Sequence, residues 1–581
     1  MLAFVFSCLS AVAVVSSCNS REGNDDILKD SASINAGKIS FTEKCAGCHN
    51  FLQDGIGPHL AGVTSERSVE WIKNFIRDPE KIIGSRDSVA IALIREFKTV
   101  MPSFNTLSDA DLDSLIAYMH TFKKTELHLA EEDTTFISNP IADTIETSNL
   151  VVAAIPFLQV PFSSAQPPKT RIVKMDYQDG SGELFILDLR GKLYHIPGTS
   201  NTPQPTQGAA IDSTGLGVYM DMSHLRPKFV NKPGLATGFG SFAFHPDFLH
   251  NGLVYTTHTE APGSGKADFR YHDSIPVEVQ WVLTEWKTGK PSSFPFSGKG
   301  RELLRINMPT GIHGVQEIAF NRNARRGEQD YGLLYIGIGD GGSTEIKQFF
   351  VSQKPVSLWG SIIRIDPKGK NSRNGEYGIP PSNPFANNRD AAPEIYAWGF
   401  RNPHKMNWSS DGKMFAVNVG ELNIESLNLV EPGHFYGWPI REGTFLMEFA
   451  KDKRKVHPLP ADDSAYNITY PVAQFDHDEG TAICGGYEYT GTQVDNLKGK
   501  YVFGDMASGK LFYVEMKDIK QNRQATIKRW NISVNGKIVS LPELCKTSRA
   551  DMRFGIDSKG ELYLFTKQNG MVYKLSSAAS N

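Results

Sequence analysis

The feature that most constrains the fold is a short pattern that recurs from about residue 150 to the C-terminus. In five of the six copies, a glycine and a polar residue are followed by a β-rich run that begins with two apolar residues, and in the copy at Gly332 the run follows the glycine directly. The copies begin at Gly182, Gly191, Gly332, Gly412, Gly509 and Gly560. A turn that leads directly into a strand, with no helical period between copies, is typical of antiparallel meanders repeated as the blades of a propeller.

Residues 150–581 are long enough for six blades of this kind. Dividing roughly 430 residues among six blades gives about 72 residues each, which is longer than usual but compatible with long loops. We therefore predict an all-β six-bladed propeller over residues 150–581. A pair of β-sandwiches is the competing architecture.

Composition excludes two classes of protein. The 61 lysine and arginine residues are balanced by 64 aspartate and glutamate residues, so the net charge is -3, which argues against a nucleic-acid binder with a basic surface. Because 40% of the residues are hydrophobic, the chain can bury large cores and is not disordered throughout. Its six cysteines are too few for a disulfide scaffold, so each needs its own explanation.

The N-terminus has the pattern of an export signal. The run from Leu2 to Val15 is uncharged and apolar, too short to span a bilayer, and is followed by small residues. We predict a signal peptide over residues 1–17, with a buried helix as the alternative.

The residues that end this run, Val15-Ser16-Ser17-Cys18, resemble a bacterial lipobox. In that motif the cysteine becomes the lipidated first residue of the mature protein. We therefore predict that Cys18 carries lipid, that residues 18–35 form a polar tether, and that the protein is anchored on the periplasmic or cell-surface side of a bacterial membrane.

The strongest local motif is a pair of cysteines followed at once by a histidine. Its sequence is Cys45-Ala46-Gly47-Cys48-His49. Two thiols at this spacing lie on one helical turn, so each can add to a vinyl group of heme while the imidazole faces the iron. Zinc or thiol redox chemistry is the alternative for two cysteines alone, but the adjacent histidine favours one covalently bound heme c.

Residues 36–125 resemble a class I cytochrome c throughout. The matching features are Gly37 and Phe41 ahead of the motif, Gly57-Pro58-His59-Leu60 after it, Val100-Met101-Pro102, and a final helix that Ser108 can cap, with Leu112, Leu115, Ile116 and Met119 at helical spacing. The resemblance implies a small all-α cytochrome c domain.

The same resemblance implies how the heme iron is held. His49 is the proximal ligand, and the carbonyl of Pro58 accepts a hydrogen bond from its ring. Met101 is the predicted distal ligand, with His59 and His120 as alternatives, whereas Met119 lies on the apolar stripe of the final helix and is predicted to be core. A thioether ligand raises the reduction potential, which suits electron transfer better than oxygen binding.

A predicted linker separates the two halves of the chain. Residues 126–149 are acidic and rich in threonine, as in Glu131-Glu132-Asp133-Thr134-Thr135, and have neither a helical nor a strand period.

Residues 150–581 resemble the glucose/sorbosone dehydrogenase propellers, which use pyrroloquinoline quinone (PQQ). Four stretches carry the resemblance: Phe242-Ala243-Phe244-His245-Pro246-Asp247-Phe248, Tyr335-Ile336-Gly337-Ile338-Gly339-Asp340-Gly341-Gly342, Gly399-Phe400-Arg401-Asn402-Pro403 and Tyr436-Gly437-Trp438-Pro439. They occur in the order of the family, which supports the propeller fold, although the fold does not by itself establish the function.

The resemblance also implies a catalytic pair. His313 matches the histidine that removes the proton of the sugar's anomeric hydroxyl while hydride passes to the quinone. Asp340 matches the carboxylate that orients this histidine and stabilises its charged form. The alternative is an ordinary loop histidine that is hydrogen-bonded to the backbone.

The resemblance further implies where PQQ and calcium would bind. Arg401 and Asn402 match the pair that binds PQQ, whose three carboxylates need cationic partners. Main-chain oxygens at a Gly-Pro step hold calcium in the family, and here the step is Gly420-Glu421. A glutamate is itself an oxygen ligand, so calcium binding is predicted at Gly420 and Glu421.

Several positions depart from the family. A pocket lysine of the family falls on Ala507, with Lys510 three residues further on, a glutamine falls on Ala236, and two arginines fall on Ala550 and Met552. Arg549 and Arg553 each lie one place away, so Arg553 is predicted as a PQQ contact if the match to the family pattern is shifted by one residue. Without that shift, the pocket has lost much of its positive charge.

Together these features predict an exported quinohemoprotein dehydrogenase that oxidises a sugar or polyol. Electrons would pass from PQQ to heme c and then to an external acceptor, such as another cytochrome or a terminal oxidase. The alternative is an electron-transfer cytochrome c whose cofactor-free propeller binds a glycan or a protein. Cys8 belongs to the predicted signal peptide, so two cysteines remain outside these sites, Cys484 and Cys545, which could form a disulfide or stay as buried thiols.

Overall fold

The computed structural model describes ten parts of the chain, and they include both predicted domains. These are residues 27–46, 48–51, 54, 57–97, 99–123, 135–198, 215–232, 236–352, 354–448 and 452–577. The predicted signal peptide and Cys18 lie outside the described residues, as does part of the tether and of the linker. Within the described parts, no helix has the length and apolar character needed to cross a membrane.

The N-terminal domain is helical, as predicted. Its helices are α1 (Ser31–Lys44), α2 (Val63–Glu66), α3 (Val69–Arg77), α4 (Pro79–Gly84), α5 (Ser88–Phe97) and α6 (Asp109–His120). The predicted cap of α6 is present: the Ser108 side chain accepts from the backbone N–H of Asp111, and the Asp111 carboxylate accepts from that of Ser108. This exchange satisfies donors that the first turn of a helix leaves without partners.

The core of this domain lies where α1 crosses α6. Leu112, Leu115, Ile116 and Met119 of α6 are all buried, so Met119 is a core residue as predicted. Gly37 allows the two helices to approach closely, because a Cβ atom at this position would lie 1.9 Å from the carbonyl oxygen of Ser114.

The C-terminal domain is built almost entirely of strands. They are β1 (Thr147–Gln159), β2 (Ile172–Tyr177), β3 (Leu184–Asp188), β4 (Lys192–Ile196), β5 (Gly217–Asp221), β6 (Phe239–Phe244), β7 (Leu253–Glu260), β8 (Val279–Thr288), β9 (Gly298–Met308), β10 (Glu317–Phe320), β11 (Leu334–Ile338), β12 (Ser361–Ile365), β13 (Ile395–Trp398), β14 (Pro403–Trp408), β15 (Met414–Asn418), β16 (Ile424–Val430), β17 (Arg441–Glu442), β18 (Phe445–Met447), β19 (Val456–His457), β20 (Ala473–Asp476), β21 (Ile483–Glu488), β22 (Lys500–Asp505), β23 (Leu511–Glu515), β24 (Lys528–Val534), β25 (Lys537–Val539), β26 (Met552–Ile556), β27 (Leu562–Thr566) and β28 (Met571–Ser576). Three short helices accompany them: α7 (Met222–Leu225), α8 (Phe248–Asn251) and α9 (Leu541–Cys545).

The described strands form a propeller-like series of sheets rather than a pair of sandwiches. Four sheets have four strands each, in the orders β2-β3-β4-β5, β6-β7-β8-β9, β10-β11-β12-β13 and β14-β15-β16-β20. The strands that follow belong to one nine-stranded sheet, in which β1 pairs in parallel with β24 and antiparallel with β28. The first strand of the domain therefore pairs with the last strand.

The recurring glycines occupy the turns that the sequence predicts. All six, from Gly182 to Gly560, have φ between 73° and 122°, a backbone conformation that side chains disfavour. Each lies one or two residues before the start of a strand: β3, β4, β11, β15, β23 or β27.

A small accessory sheet, β17-β18-β19, is inserted between β16 and β20. The start of the described linker packs on it, because the Ile137 amide donates to the Val456 carbonyl at 2.8 Å. The accessory sheet thus contacts the described part of the linker that leads into the propeller.

We predict that Gly37→Leu destabilises the N-terminal domain. The new side chain would force apart α1 and α6, at a cost of about 1–3 kcal/mol or more. Thermal unfolding of the heme-loaded full chain, followed in the Soret region, should show a Tm several degrees lower. Gly84→Ala is the control, because nothing lies within 4 Å of a Cβ atom at that position. Equal Tm values for the two variants would contradict the close approach.

Candidate active site and heme site

The paired cysteines lie at the end of α1, in a tight turn. The Cys45 amide donates to the Phe41 carbonyl, and the His49 amide donates to the Cys45 carbonyl at 2.9 Å. Cys45, Cys48, His49 and Met101 line one cavity of about 370 Å³, whose other walls are largely apolar. An apolar cavity with two thiols, an imidazole and a thioether fits a covalently attached heme c.

The orientation of His49 is set by the segment that passes beside it. Its Nδ1 lies 2.8 Å from the Pro58 carbonyl oxygen, as predicted, so Nδ1–H is the donor and Nε2 keeps its lone pair for a metal. Gly57 allows this passage, since a Cβ atom there would lie 2.4 Å from Cε1 of the ring. Burial lowers the pKa of His49, which favours the neutral ligand form.

The alternatives to Met101 differ in their surroundings. His120 does not line the heme cavity, and its Nδ1 lies 2.9 Å from the Thr64 hydroxyl. His59 lines the cavity, and its amide donates to Asp54. Met101 remains the predicted distal ligand.

In the propeller, His313 and Asp340 form a buried pair. His313 lies in the loop before β10 and Asp340 in the turn after β11, and His313 Nδ1 is 2.8 Å from Asp340 Oδ1. Gly339 permits this contact, because a Cβ atom there would lie 2.3 Å from the His313 carbonyl oxygen. Asp340 is fully buried and its Oδ1 also accepts from the Gly342 amide.

This geometry makes His313 a candidate base. With Nδ1–H donating to Asp340, Nε2 is free of a proton and can accept one. Burial lowers the pKa of His313, and the Arg401 charge lowers it further, against the opposing effect of Asp340. The imidazole is therefore neutral at neutral pH. The carboxylate would stabilise the imidazolium that forms when a proton is taken up.

Arg401 is engaged by three acidic or carbonyl partners. Its Nε lies 2.6 Å from Glu421 Oε2, its Nη1 2.5 Å from the Gly420 carbonyl, and its Nη2 3.5 Å from Glu345 Oε1. The neighbouring Asn402 is buried, and its amide donates to Asn418 Oδ1. Arg401 still lines the cavity described below, where it could meet a carboxylate ligand.

In this arrangement the oxygens of the predicted calcium site have cationic partners. The Gly420 carbonyl accepts from Arg401, while the Glu421 carboxylate contacts both Arg401 and the Lys453 ammonium. The oxygens proposed as calcium ligands already carry cationic partners. The residues present therefore do not fit a calcium ion.

Arg553 does not line the cavity that contains Arg401. It is buried on β26, its Nη1 donates to the Met552 carbonyl, and its Nε has no hydrogen-bond partner among the described residues. Ala550 and Met552 belong to an apolar core instead. The prediction that Arg553 contacts PQQ is therefore not supported by its position.

The two remaining cysteines are not joined. Cys484 and Cys545 are free thiols, and the Cys545 thiol donates to the Thr566 hydroxyl at 3.2 Å. Of the two possibilities, the structure shows unpaired thiols.

The heme-binding turn faces the propeller across a shared cavity of about 230 Å³. Cys48 and His49 contribute one wall, and Arg401, Glu345 and Thr310 contribute the other. The propeller also reaches the heme cavity itself through Arg549, whose Nε is held 2.7 Å from Asp551 Oδ1. The two candidate redox sites are therefore adjacent.

Ion pairs join the two domains across this interface. Arg454 lies 2.5 Å from Glu96 and 2.9 Å from Asp54, and Lys232 lies 2.6 Å from Glu43.

Four residues that contribute to the site were not predicted from the sequence: Glu345, Lys453, Arg454 and Arg549, the last as a neighbour of the heme cavity. Only Glu345 had a local signal, because it closely follows the Gly-Asp-Gly-Gly turn.

Comparison with known proteins agrees with these two domains. Residues 34–123 match the family model for cytochrome c, and residues 307–538 match the one for glucose/sorbosone dehydrogenase. The HIPL1 protein of Arabidopsis thaliana is 26% identical over 377 residues, which cover 57% of this chain and 50% of that protein. Quinoprotein glucose dehydrogenase B of Acinetobacter calcoaceticus is 24% identical over 229 residues, which cover 37% of this chain and 42% of that protein.

Among solved structures, the PQQ-bound form of aldose sugar dehydrogenase from Streptomyces coelicolor has a TM-score of 0.46 and 18% sequence identity, and covers 74% of this chain and 99% of that chain. The present chain spans about half the length of the first curated relatives that it matches.

We predict that Arg454→Glu separates the domains. The substitution replaces two attractive contacts, to Asp54 and Glu96, with repulsive ones. Small-angle X-ray scattering should show a larger radius of gyration. Arg326→Glu is the control, since Arg326 pairs with Asp247 within the propeller. An unchanged scattering profile for Arg454→Glu would show that these ion pairs do not hold the domains together.

We also predict that Arg549→Gln lowers the reduction potential of the heme. A nearby cation disfavours the more positive, oxidised form, so its removal shifts the potential downwards, on the order of tens of millivolts. Spectroelectrochemical titration measures the shift. Arg270→Gln, at an exposed arginine beside Asp273, should leave the potential unchanged. An unchanged reduction potential in Arg549→Gln would show that the Arg549 charge does not influence the heme.

Proposed function

We propose that the molecule is a sugar or polyol dehydrogenase that delivers electrons to heme c. The chain joins a cytochrome c domain at residues 34–123 to a glucose/sorbosone dehydrogenase domain at residues 307–538. The observation that carries the proposal is the shared cavity. Cys48 and His49 of the heme motif and Arg401 of the propeller line the same space, so electrons need not leave the molecule to pass between domains.

His313 is the proposed base. Oxidation of an anomeric or alcohol carbon removes the hydroxyl proton and the carbon-bound hydrogen with its electron pair. The unprotonated Nε2 of His313 would take the hydroxyl proton, and Asp340 would hold the ring in place through Nδ1. When bound, PQQ would accept the two electrons, and heme c would carry electrons away one at a time.

PQQ is the cofactor that we propose for the propeller. Its carboxylates need a cation, and Arg401 reaches the shared cavity, with Asn402 next in sequence. The name of the Acinetobacter relative, a quinoprotein, supports the same choice. Arg553 takes no part in this proposal, and neither does calcium.

The finer points of architecture and location are also proposals. The nine-stranded sheet would comprise two blades, β21–β24 and β26–β28 with β1, and the propeller would then have six. Lipidation at Cys18 would anchor the exported protein at a bacterial membrane. Another cytochrome or a terminal oxidase would accept the electrons there.

A second candidate function is a propeller that binds a glycan or a protein without a cofactor. One observation favours it: the positions where the family carries arginines, Ala550 and Met552, are apolar and completely buried. A cavity that offers a single arginine at its wall is a weaker site for a tricarboxylate than one with several.

Sugar-driven reduction of the heme tests the proposal. The full chain, produced with heme maturation and supplied with PQQ, is mixed with aldoses and alcohols while the heme α-band is recorded. We expect first-order reduction whose rate does not depend on protein concentration, because the transfer is internal. A protein in which PQQ neither binds nor supports reduction by any substrate would favour the binding function.

We predict that His313→Gln lowers kcat at least about 100-fold, as loss of a general base does. Reduction of the heme by dithionite should be unchanged, which serves as the control. Because the pKa of His313 lies below the ordinary 6.5, the wild-type rate should stay on its plateau to below that pH and fall only when the ring is protonated. A variant that retains the wild-type rate would rule out His313 as the base.

A further inference from the structure

The end of the propeller that lines the shared cavity, here called its mouth, contains a closed ring of two basic and two acidic side chains that alternate. Arg401 contacts Glu421 and Glu345, and Lys453 contacts the same two carboxylates from the other side. The distances are 2.6 Å from Arg401 Nε to Glu421 and 3.1 Å from Lys453 Nζ to Glu345. All four side chains are largely buried, so their charges depend on one another rather than on water.

Lys453 is brought to the ring by the accessory sheet. It lies just before β19, and its carbonyl accepts from Asn423 Nδ2 at 3.0 Å. Asn423 belongs to the loop that follows Gly420, where the amides of residues 421–424 all donate to Glu442 Oε1. The backbone of Lys453 is thus tied to the loop whose oxygens were predicted to bind calcium.

The charge balance of the ring leaves no place for a divalent cation. Two cations face two carboxylates, so the net charge is zero when both carboxylates are ionised. A divalent ion would have to displace one of the bound cations.

We infer that the Lys453 ammonium occupies the place of the divalent cation in this site, so that the propeller mouth is assembled without metal. The ammonium meets Glu421 and Glu345 and needs no other ligand to compensate its charge. The inference refines the site of the proposed function, and its bearing on catalysis rests on that function. The assembly of the site can be tested without sugar, quinone or electron acceptor.

Removal of the ammonium should create the metal site that the wild type lacks. In Lys453→Met the side chain keeps its length but loses its charge, which frees Glu421 Oε1 and Glu345 Oε2 while Arg401 keeps its contacts to Glu421 Oε2 and the Gly420 carbonyl. These are hard oxygen ligands of the kind that calcium prefers. Lys413→Met is the matched control, because Lys413 is a partly exposed lysine that pairs with Asp411 away from the ring.

The experiment compares the heme-loaded full chain in three conditions: with EGTA, with no addition, and with calcium at about 10 mM, above the range of weak extracellular sites. Thermal unfolding gives Tm, and isothermal titration with calcium chloride gives the stoichiometry. We expect wild type and Lys413→Met to show the same Tm in all conditions and no calcium binding. Lys453→Met should lose at least about 5 °C in EGTA, as expected when one member of a buried charge cluster is removed.

Calcium should restore much of that loss in Lys453→Met, with one ion bound per chain. The double variant Lys453→Met with Glu421→Gln lacks the second carboxylate and should bind no calcium, which locates the ion at the ring. Binding of one calcium by the wild type, or a wild-type Tm that falls in EGTA, would overturn the inference. So would a Lys453→Met protein that is as stable as wild type and indifferent to calcium.

The outcomes remain informative if Lys453→Met does not fold. The wild-type titration then decides: calcium binding overturns the inference, and its absence together with indifference to EGTA supports it. Failure of the proposed function would give a different result: the protein would be stable and free of calcium, but no sugar would reduce its heme.

Discussion

The arrangement of this molecule depends on satisfying two buried carboxylates, Glu345 and Glu421, at the mouth of the propeller. A buried carboxylate without a cationic partner is strongly destabilising, so the chain must bring cations to both. It does so with Arg401 from the loop between β13 and β14 and with Lys453 from the loop before β19 of the accessory sheet. The next residue, Arg454, pairs with Glu96 of the cytochrome domain. The segment that contributes Lys453 to the ring therefore also contacts the cytochrome domain.

This shared segment brings the two domains into contact. A flexible linker alone would hold the domains near each other but would not determine which surfaces meet. Here the turn that carries Cys48 and His49 lies against the wall formed by Arg401 and Glu345. The cytochrome domain therefore forms one wall of the cavity that Arg401 lines.

Much of each site could be predicted from the sequence, because its parts are encoded in short segments. The pairing of His49 with Pro58, the cap at Ser108 and the contact of His313 with Asp340 all agree with the structure. The residues of the predicted calcium site do not fit the ion, because a sequence shows which oxygens are present but not which cations will reach them. Lys453 lies 32 residues from Glu421 and belongs to an insertion that the repeating turns did not reveal.

The sequence by itself determined the local elements: the heme-attachment turn, the helix caps, and the glycine turns that start strands. These depend on neighbouring residues, through φ preferences, hydrogen bonds within a turn and thiol spacing. Only the tertiary structure decided how β1 pairs with β28, which side chains line the shared cavity, and that Arg549 reaches the heme cavity. Burial and charge pairing between distant segments control these features, and neither is a property of any short stretch of chain.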